Sequence, residues 1–243
     1  MKKYFEYEFN DHIKERLLDY YSSKDGVRDF GNENGRRKTL LKLKRIEKYI
    51  SFSSDDYICD IGCSDGSLLN CLKGKYKRAT GLDISEEAIK KCKKNADQNV
   101  NFKAYNGSTI QSDILFDKIF AMDVLEHAFE PDELVSSIYK NLAWGGVFVI
   151  QVPSTGWLSE LIFGKYHYGH LRYYDENYLR TYLEDRGFYI EYIQTFNSVP
   201  FSSLFLKVPA LHSLLSMVCG VVPHIIYPYY GSVTAIAKKR VKK

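Results

Sequence analysis

Short apolar runs alternate along the chain with amphipathic segments. The runs are 57–61, 79–82, 99–105, 116–121, 147–152, 189–196 and 232–237, each of strand length. Between them, apolar residues recur at helical spacing, as in Leu68, Leu69 and Leu72, or Leu179, Tyr182 and Leu183. The segment SEEAIKKCKKNADQN places Ser85 as a helix N-cap, Glu86 and Glu87 in the first turn and lysines toward its end, which matches the helix dipole. Residues 36–50 predict an amphipathic helix ahead of the first strand, with Leu40, Leu41, Leu43, Ile46 and Ile50 as its apolar face. Strands separated by helices predict an α/β doubly wound, mostly parallel sheet. The pair 189–196 and 232–237 is expected to close it with an antiparallel last strand.

The stretch 57–83 carries the first chemical signal. A strand bearing Asp60 breaks into Gly62-Cys63-Ser64-Asp65-Gly66, and the next strand ends in Asp83. Glycines there let the chain turn sharply and let a ligand lie against main-chain N–H groups. An acid at the second strand's tip suits a ribose diol. A dinucleotide loop wants glycine where Ser64 and Ser67 stand, which argues against a nicotinamide-dependent oxidoreductase. The loop D-I-G-C-S-D-G instead resembles motif I of the class I S-adenosylmethionine-dependent methyltransferases, with Ser64 departing from the usual glycine.

Two later stretches extend that resemblance. Phe116–Ala121 runs into Asp123-Val124-Leu125-Glu126-His127, followed by an acidic helix, a glycine pair at Gly145-Gly146 expected to end that helix, and a further strand. Beyond it, Gly169-His170-Leu171-Arg172-Tyr173-Tyr174 is followed by a helix and Gly187-Phe188, similar to small-molecule branches acting in ubiquinone biosynthesis and sugar modification. The resemblance implies a Rossmann-like three-layer sandwich that binds S-adenosyl-L-methionine and methylates a small-molecule or lipid-linked acceptor, most readily at oxygen. It further implies cofactor contacts from Asp60, Gly62, Cys63, Gly66, Asp83, Ile84, Asn106 and Asp123. Asp60 either meets the cofactor's ammonium or caps the turn, and Asn106 either meets the adenine or caps its loop. His170 and His127 are candidate general bases or loop-ordering histidines. Arg172 either clamps an anionic acceptor or pairs with Asp175 or Glu176, and Tyr173 belongs to an aromatic-rich acceptor region. A cofactor-binding protein without turnover remains the other reading.

Composition narrows the partners. The 243 residues carry a net charge of only +4, with five basic residues in the tail 238–243, so no basic face for nucleic acid is present. The five cysteines form no C-x-x-C pair; no metal site is read from the chain, and reduced thiols point to the cytoplasm. Residues 1–34 read as an N-terminal lid or appendage without a secretory signal, and 35–243 as the methyltransferase domain with a hydrophobic insertion at 197–231. Within that insertion, 208–230 lacks charge and is cut by Pro209, Gly220, Pro223 and Pro228. It is too interrupted to span a bilayer and reads as a lid, a dimer face or, with the basic tail, a peripheral membrane contact. Oligomeric state is not readable.

Overall fold

The structure, a computed structural model, describes residues 5–6, 11–22, 33–154, 170–197 and 231–240. In chain order these form β1 (Phe5–Glu6), α1 (Asp11–Ser22), α2 (Glu33–Ile46), β2 (Tyr57–Ile61), α3 (Ser67–Cys71), β3 (Arg78–Asp83), α4 (Glu86–Lys94) and β4 (Val100–Ala104). They continue through β5 (Phe116–Met122), α5 (Pro131–Asn141), β6 (Leu142–Ser154), β7 (Arg172–Tyr173), α6 (Glu176–Glu184), β8 (Phe188–Asn197) and β9 (Gly231–Lys239).

The main sheet has the order β4-β3-β2-β5-β6-β9-β8. Pairing is parallel from β4 to β6, and β9 inserts antiparallel between β6 and β8. Because side chains alternate across a strand, each central strand feeds two cores. Cys59, Ile61, Ile119, Phe148 and Ile150 pack toward Leu134 and Ile138 of α5 and Leu179 and Leu183 of α6. Ile58, Phe120, Val147 and Val149 pack the other way, toward Leu43 and Ile46 of α2, Leu69 of α3 and Ile89 of α4. Each fully buried leucine or isoleucine contributes about 1.5–3 kcal/mol by leaving water, so the sheet is held from both faces.

Two sequence expectations change in detail. On α2 the buried positions are Leu43, Ile46 and Ile50, while Leu40 and Leu41 are exposed; the inward row at helical spacing begins at Thr39 and Lys42. The α5 helix ends at Asn141, ahead of the glycine pair. The buried Lys239 ammonium donates to the carbonyls of Tyr139 (2.8 Å) and Leu142 (2.7 Å), satisfying helix-end acceptors without a glycine cap. Gly145, at φ 78°, instead turns the chain within the irregular start of β6. The Ser85 cap of α4 is present, its side chain accepting from Ala88 N at 3.2 Å.

The segment 208–230 lies outside the described residues. Its exit at Gly231 pairs with Ser154, at the carboxyl end of the parallel strands, whereas Lys238 and Lys239 pair with residues at the opposite end. Nine strand residues at about 3.4 Å per step separate the two by roughly 27 Å. The apolar segment's exit and Lys238 and Lys239, where the basic tail begins, therefore do not share one end of the sheet. Among the described residues no helix is long and apolar enough to cross a membrane.

Candidate active site

A cavity of about 300 Å³ opens at the carboxyl ends of β2, β3 and β5. Its floor is the turn after β2. Gly62 and Cys63 donate their N–H groups to the Leu82 carbonyl at 2.7 and 3.0 Å, binding the turn to β3. Gly62 sits at φ 69°, and a Cβ there would lie 2.5 Å from a Val124 methyl, so both the backbone and the space require glycine. Ser64 and Asp123 are the non-glycine residues at positive φ among those described, at 46° and 60°, and both line this cavity. Strained backbone of this kind gathers where surrounding structure holds it for use.

Carboxylates converge beside the turn. Asp83 accepts from Ser64 N at 2.8 Å on one oxygen and from Ser85 N at 2.9 Å on the other. Burial raises its pKa, and the backbone N–H groups of Ser85, Ser64 and Ile84 oppose that rise. Asp60 is almost fully buried; burial first, then the fields of Asp83 and Asp65, holds its carboxyl well above the ordinary range. A cation placed between these groups would favour their ionised forms. Asp65 is engaged by the N–H (3.1 Å) and hydroxyl (2.7 Å) of Ser67.

Above the turn, α2 brings Thr39 and Lys42 to the cavity wall. The Lys42 ammonium lies 2.6 Å from Asp123 Oδ2, and Gln151 donates to Asp123 Oδ1 at 2.9 Å. Lys42 escaped the sequence reading, yet it had a signal: a lysine three residues after Thr39 and four before Ile46, on the inward row.

His127 also lines the cavity. The Tyr21 hydroxyl, carried by α1, meets its Nδ1 at 2.7 Å, and the two rings make an edge contact with centroids 5.2 Å apart. Glu126 is fully buried, one oxygen 3.8 Å from His127 Nε2. His170 lies behind, its ring 4.9 Å from that of His127 and itself buried. Glu126, His127 and His170 each offer one ligand atom within 4.8 Å of the others, a carboxylate–imidazole set that could hold a divalent ion.

The remaining candidates fall as follows. Ile84, Asn106 and Asp123 line the cavity, while Gly66 opens α3 at φ 77° beneath it. The Asn106 side-chain oxygen caps its own loop, accepting from Ser108 N (3.1 Å) and Thr109 N (2.8 Å). His170, Arg172 and Tyr173 are not among the described lining residues. Arg172 is buried and donates to the Ala128 carbonyl, and Leu171 N donates to the Glu126 carbonyl at 2.8 Å. The turn 170–173 thus braces the loop that presents His127. A glycine-bearing turn with acids at three strand ends, and a phenol–imidazole pair lining the same cavity, suits a cationic nucleotide-like ligand beside a proton-losing partner.

Comparison with known proteins agrees. Residues 29–193 match the model of a family described as a methyltransferase domain. A ubiquinone biosynthesis O-methyltransferase of Coxiella burnetii is 30% identical over 131 residues, covering 50% of this chain and 56% of that protein; the chain thus spans about half that relative's length. An uncharacterized methyltransferase of Schizosaccharomyces pombe is 28% identical over 203 residues, 72% of this chain and 73% of that one. Among solved structures, the Haemonchus contortus phosphoethanolamine N-methyltransferase 2 in complex with S-adenosyl-L-methionine superposes with a TM-score of 0.66 at 17% identity, covering 92% of this chain and 60% of that one, which speaks to the fold. With two thirds of its length inside the family model, the chain belongs to the methyltransferase-domain family, of the class I S-adenosylmethionine-dependent type.

Proposed function

We propose that this chain transfers the methyl group of S-adenosylmethionine to an oxygen of a small-molecule or lipid-linked acceptor lying beside His127 in the cavity. The observation that carries the reading is one cavity lined both by the carboxylates at the glycine turn, Asp60 buried and Asp83 half-buried, and by the Tyr21–His127 pair. When bound, S-adenosylmethionine supplies an electrophilic methyl on a positively charged sulfur. Asp83 holds the ribose diol, and Asp60 faces the ammonium. Ile84 packs beside the adenine, with the capped Asn106 loop at its edge. Lys42 is the one lysine or arginine among the described lining residues, so it takes the carboxylate and shares itself with Asp123. In this reading Tyr21 donates to Nδ1, and the imidazole takes the phenol's proton as the acceptor's hydroxyl gives its own to the phenol oxygen. Arg172 and His170 act as positioning residues for that loop.

The test is incubation with S-adenosylmethionine and a panel of phenols, catechols, sugar hydroxyls and amines, read by mass spectrometry. A methylated phenol or hydroxyl supports the reading. Binding of S-adenosylmethionine with no product from any acceptor supports a cofactor-binding protein instead.

Two expected results follow from the cofactor contacts. Lys42→Gln should lower affinity for S-adenosylmethionine by about 10- to 100-fold, the worth of a hydrogen bond to a charged group, while leaving affinity for its decarboxylated analogue unchanged. Calorimetry with both ligands checks this; equal loss for both would remove Lys42 from the carboxylate. The second concerns pH. Burial raises both Asp60, strongly, and Asp83 from their ordinary values in the free protein, and a cationic ligand favours their ionised forms. Binding therefore expels protons, and affinity rises with pH until the raised free-state values are passed. Calorimetry in two buffers of different ionisation enthalpy measures the release, and Asp60→Asn should diminish it.

A further inference from the structure

Beneath the glycine turn two thiols meet. Cys63 belongs to the turn and lines the cavity, whereas Cys92 comes from α4. The Cys63 and Cys92 side chains are close enough to interact, and the Cys92 thiol donates to the Ser64 carbonyl at 3.1 Å. The room for this arrangement comes from glycines. A Cβ on Gly81 would lie 3.0 Å from Cys63 Sγ, and one on Gly66 would lie 3.5 Å from Cys92 Sγ. Phe102 closes the same space, in contact with both of those positions. Both thiols are buried from bulk solvent, at 4% and 5% exposure, so the cavity is the approach to the pair, through Cys63.

We propose that Cys63 and Cys92 are a reversible oxidation site whose disulfide locks the glycine turn when the cofactor cavity is empty, and which bound cofactor protects. The chemistry needs a peroxide as oxidant. The Cys63 thiolate attacks one peroxide oxygen, the O–O bond breaks, and Cys63 becomes a sulfenic acid with release of water. The Cys92 thiol then attacks the Cys63 sulfur, the S–S bond forms and a second water leaves. Two electrons pass from the thiols to the peroxide, and two thiols with one hydrogen peroxide give one disulfide and two waters. The Cys92 side chain, followed by burial and the negative charge of Asp60 and Asp83, holds the Cys63 thiol protonated, so the first step is slow and demands sustained oxidant. Joining the sulfurs pulls the turn toward α4. The disulfide has no S–H, so the Cys92 hydrogen bond to the carbonyl of Ser64, whose own N–H holds Asp83, is lost. The disulfide therefore disturbs the ribose-binding carboxylate.

The protective half of the proposal rests on the cavity taking S-adenosylmethionine, and the experiment separates the two. A Cys71→Ser, Cys219→Ser variant, which retains Cys59, Cys63 and Cys92, is treated with hydrogen peroxide with and without saturating S-adenosylhomocysteine. Thiols are then counted by alkylation under denaturing conditions. The expected result is loss of two of the three thiols in the free protein and none in the complex. Adding Cys92→Ser should abolish the paired loss. Calorimetry of the oxidised protein should show affinity for S-adenosylhomocysteine lowered by about tenfold or more, a change of at least roughly 1.4 kcal/mol, and restored by dithiothreitol. Three thiols surviving in the free protein, paired loss persisting without Cys92, or unchanged affinity after oxidation would each overturn the proposal. If the pair oxidises but the reduced protein shows no calorimetric binding of S-adenosylhomocysteine, the cofactor assignment fails and the thiol pairing stands.

Discussion

Asp83→Ala is expected to lower affinity for S-adenosylmethionine by at least about 100-fold. Each hydrogen bond from a hydroxyl to a charged acceptor is worth roughly 1.5–3 kcal/mol, and the diol offers two. The same carboxylate also receives the N–H groups of Ser64 and Ser85, so its removal loosens the turn that carries the rest of the cofactor contacts. Asp83→Asn separates the two contributions. The amide keeps the volume and one acceptor oxygen, so it should hold the turn in part while surrendering the bidentate contact, and its loss should fall between wild type and alanine. Calorimetry measures the affinities, and thermal unfolding of the free proteins reports whether the variants fold. An alanine variant that binds within threefold of wild type would remove Asp83 from the ribose site.

The second large effect belongs to the Tyr21–His127 pair. His127→Ala should reduce kcat by about 100- to 10,000-fold, the usual share of general acid–base catalysis, and leave cofactor affinity unchanged. Because Tyr21 and His127 share one hydrogen bond, they should behave as a unit: Tyr21→Phe also slows turnover, and the double variant is little worse than His127→Ala alone. His170→Ala should cost less than His127→Ala, since His170 is not among the described lining residues and lies against the His127 ring. The measurement is turnover at saturating acceptor across pH. Full turnover by His127→Ala, or strictly additive losses for Tyr21→Phe and His127→Ala, would dismiss the pair as the proton acceptor.

These two sets of residues were unequally visible in the chain. Asp60, Gly62, Asp83 and Asp123 sit at strand ends or in the turn directly following one, where an apolar run breaks into polar or glycine residues. Local order suffices to mark such positions, since parallel strands with helical crossovers send all their carboxyl ends to the same side. The cavity collects them because of that rule.

Tyr21 and Lys42 were not legible in the same way. Tyr21 lies in a polar, tyrosine-rich segment with no strand end to mark it, and its partner is more than a hundred positions away. Lys42 sits among other lysines and arginines on α2, and only the inward face of the packed helix distinguishes it from Lys38 or Lys44. The turn 170–173 carried a family-like pattern. Whether His170 or His127 reached the cavity depended on how that turn packed against residues 126–128.

What the sequence determined by itself is the order of strands and helices, the glycine turn and the acids at the strand tips, because hydrophobic period and turn chemistry are local properties. What only the tertiary structure decided is which residues from distant segments meet: Tyr21 with His127, Lys42 with Asp123, Cys63 with Cys92, and Lys238 and Lys239 at the far end of β9 from the exit of the apolar segment. Those meetings follow from the packing of whole helices and from strand register, which are settled by the sum of buried contacts across the chain and leave no mark at any single position.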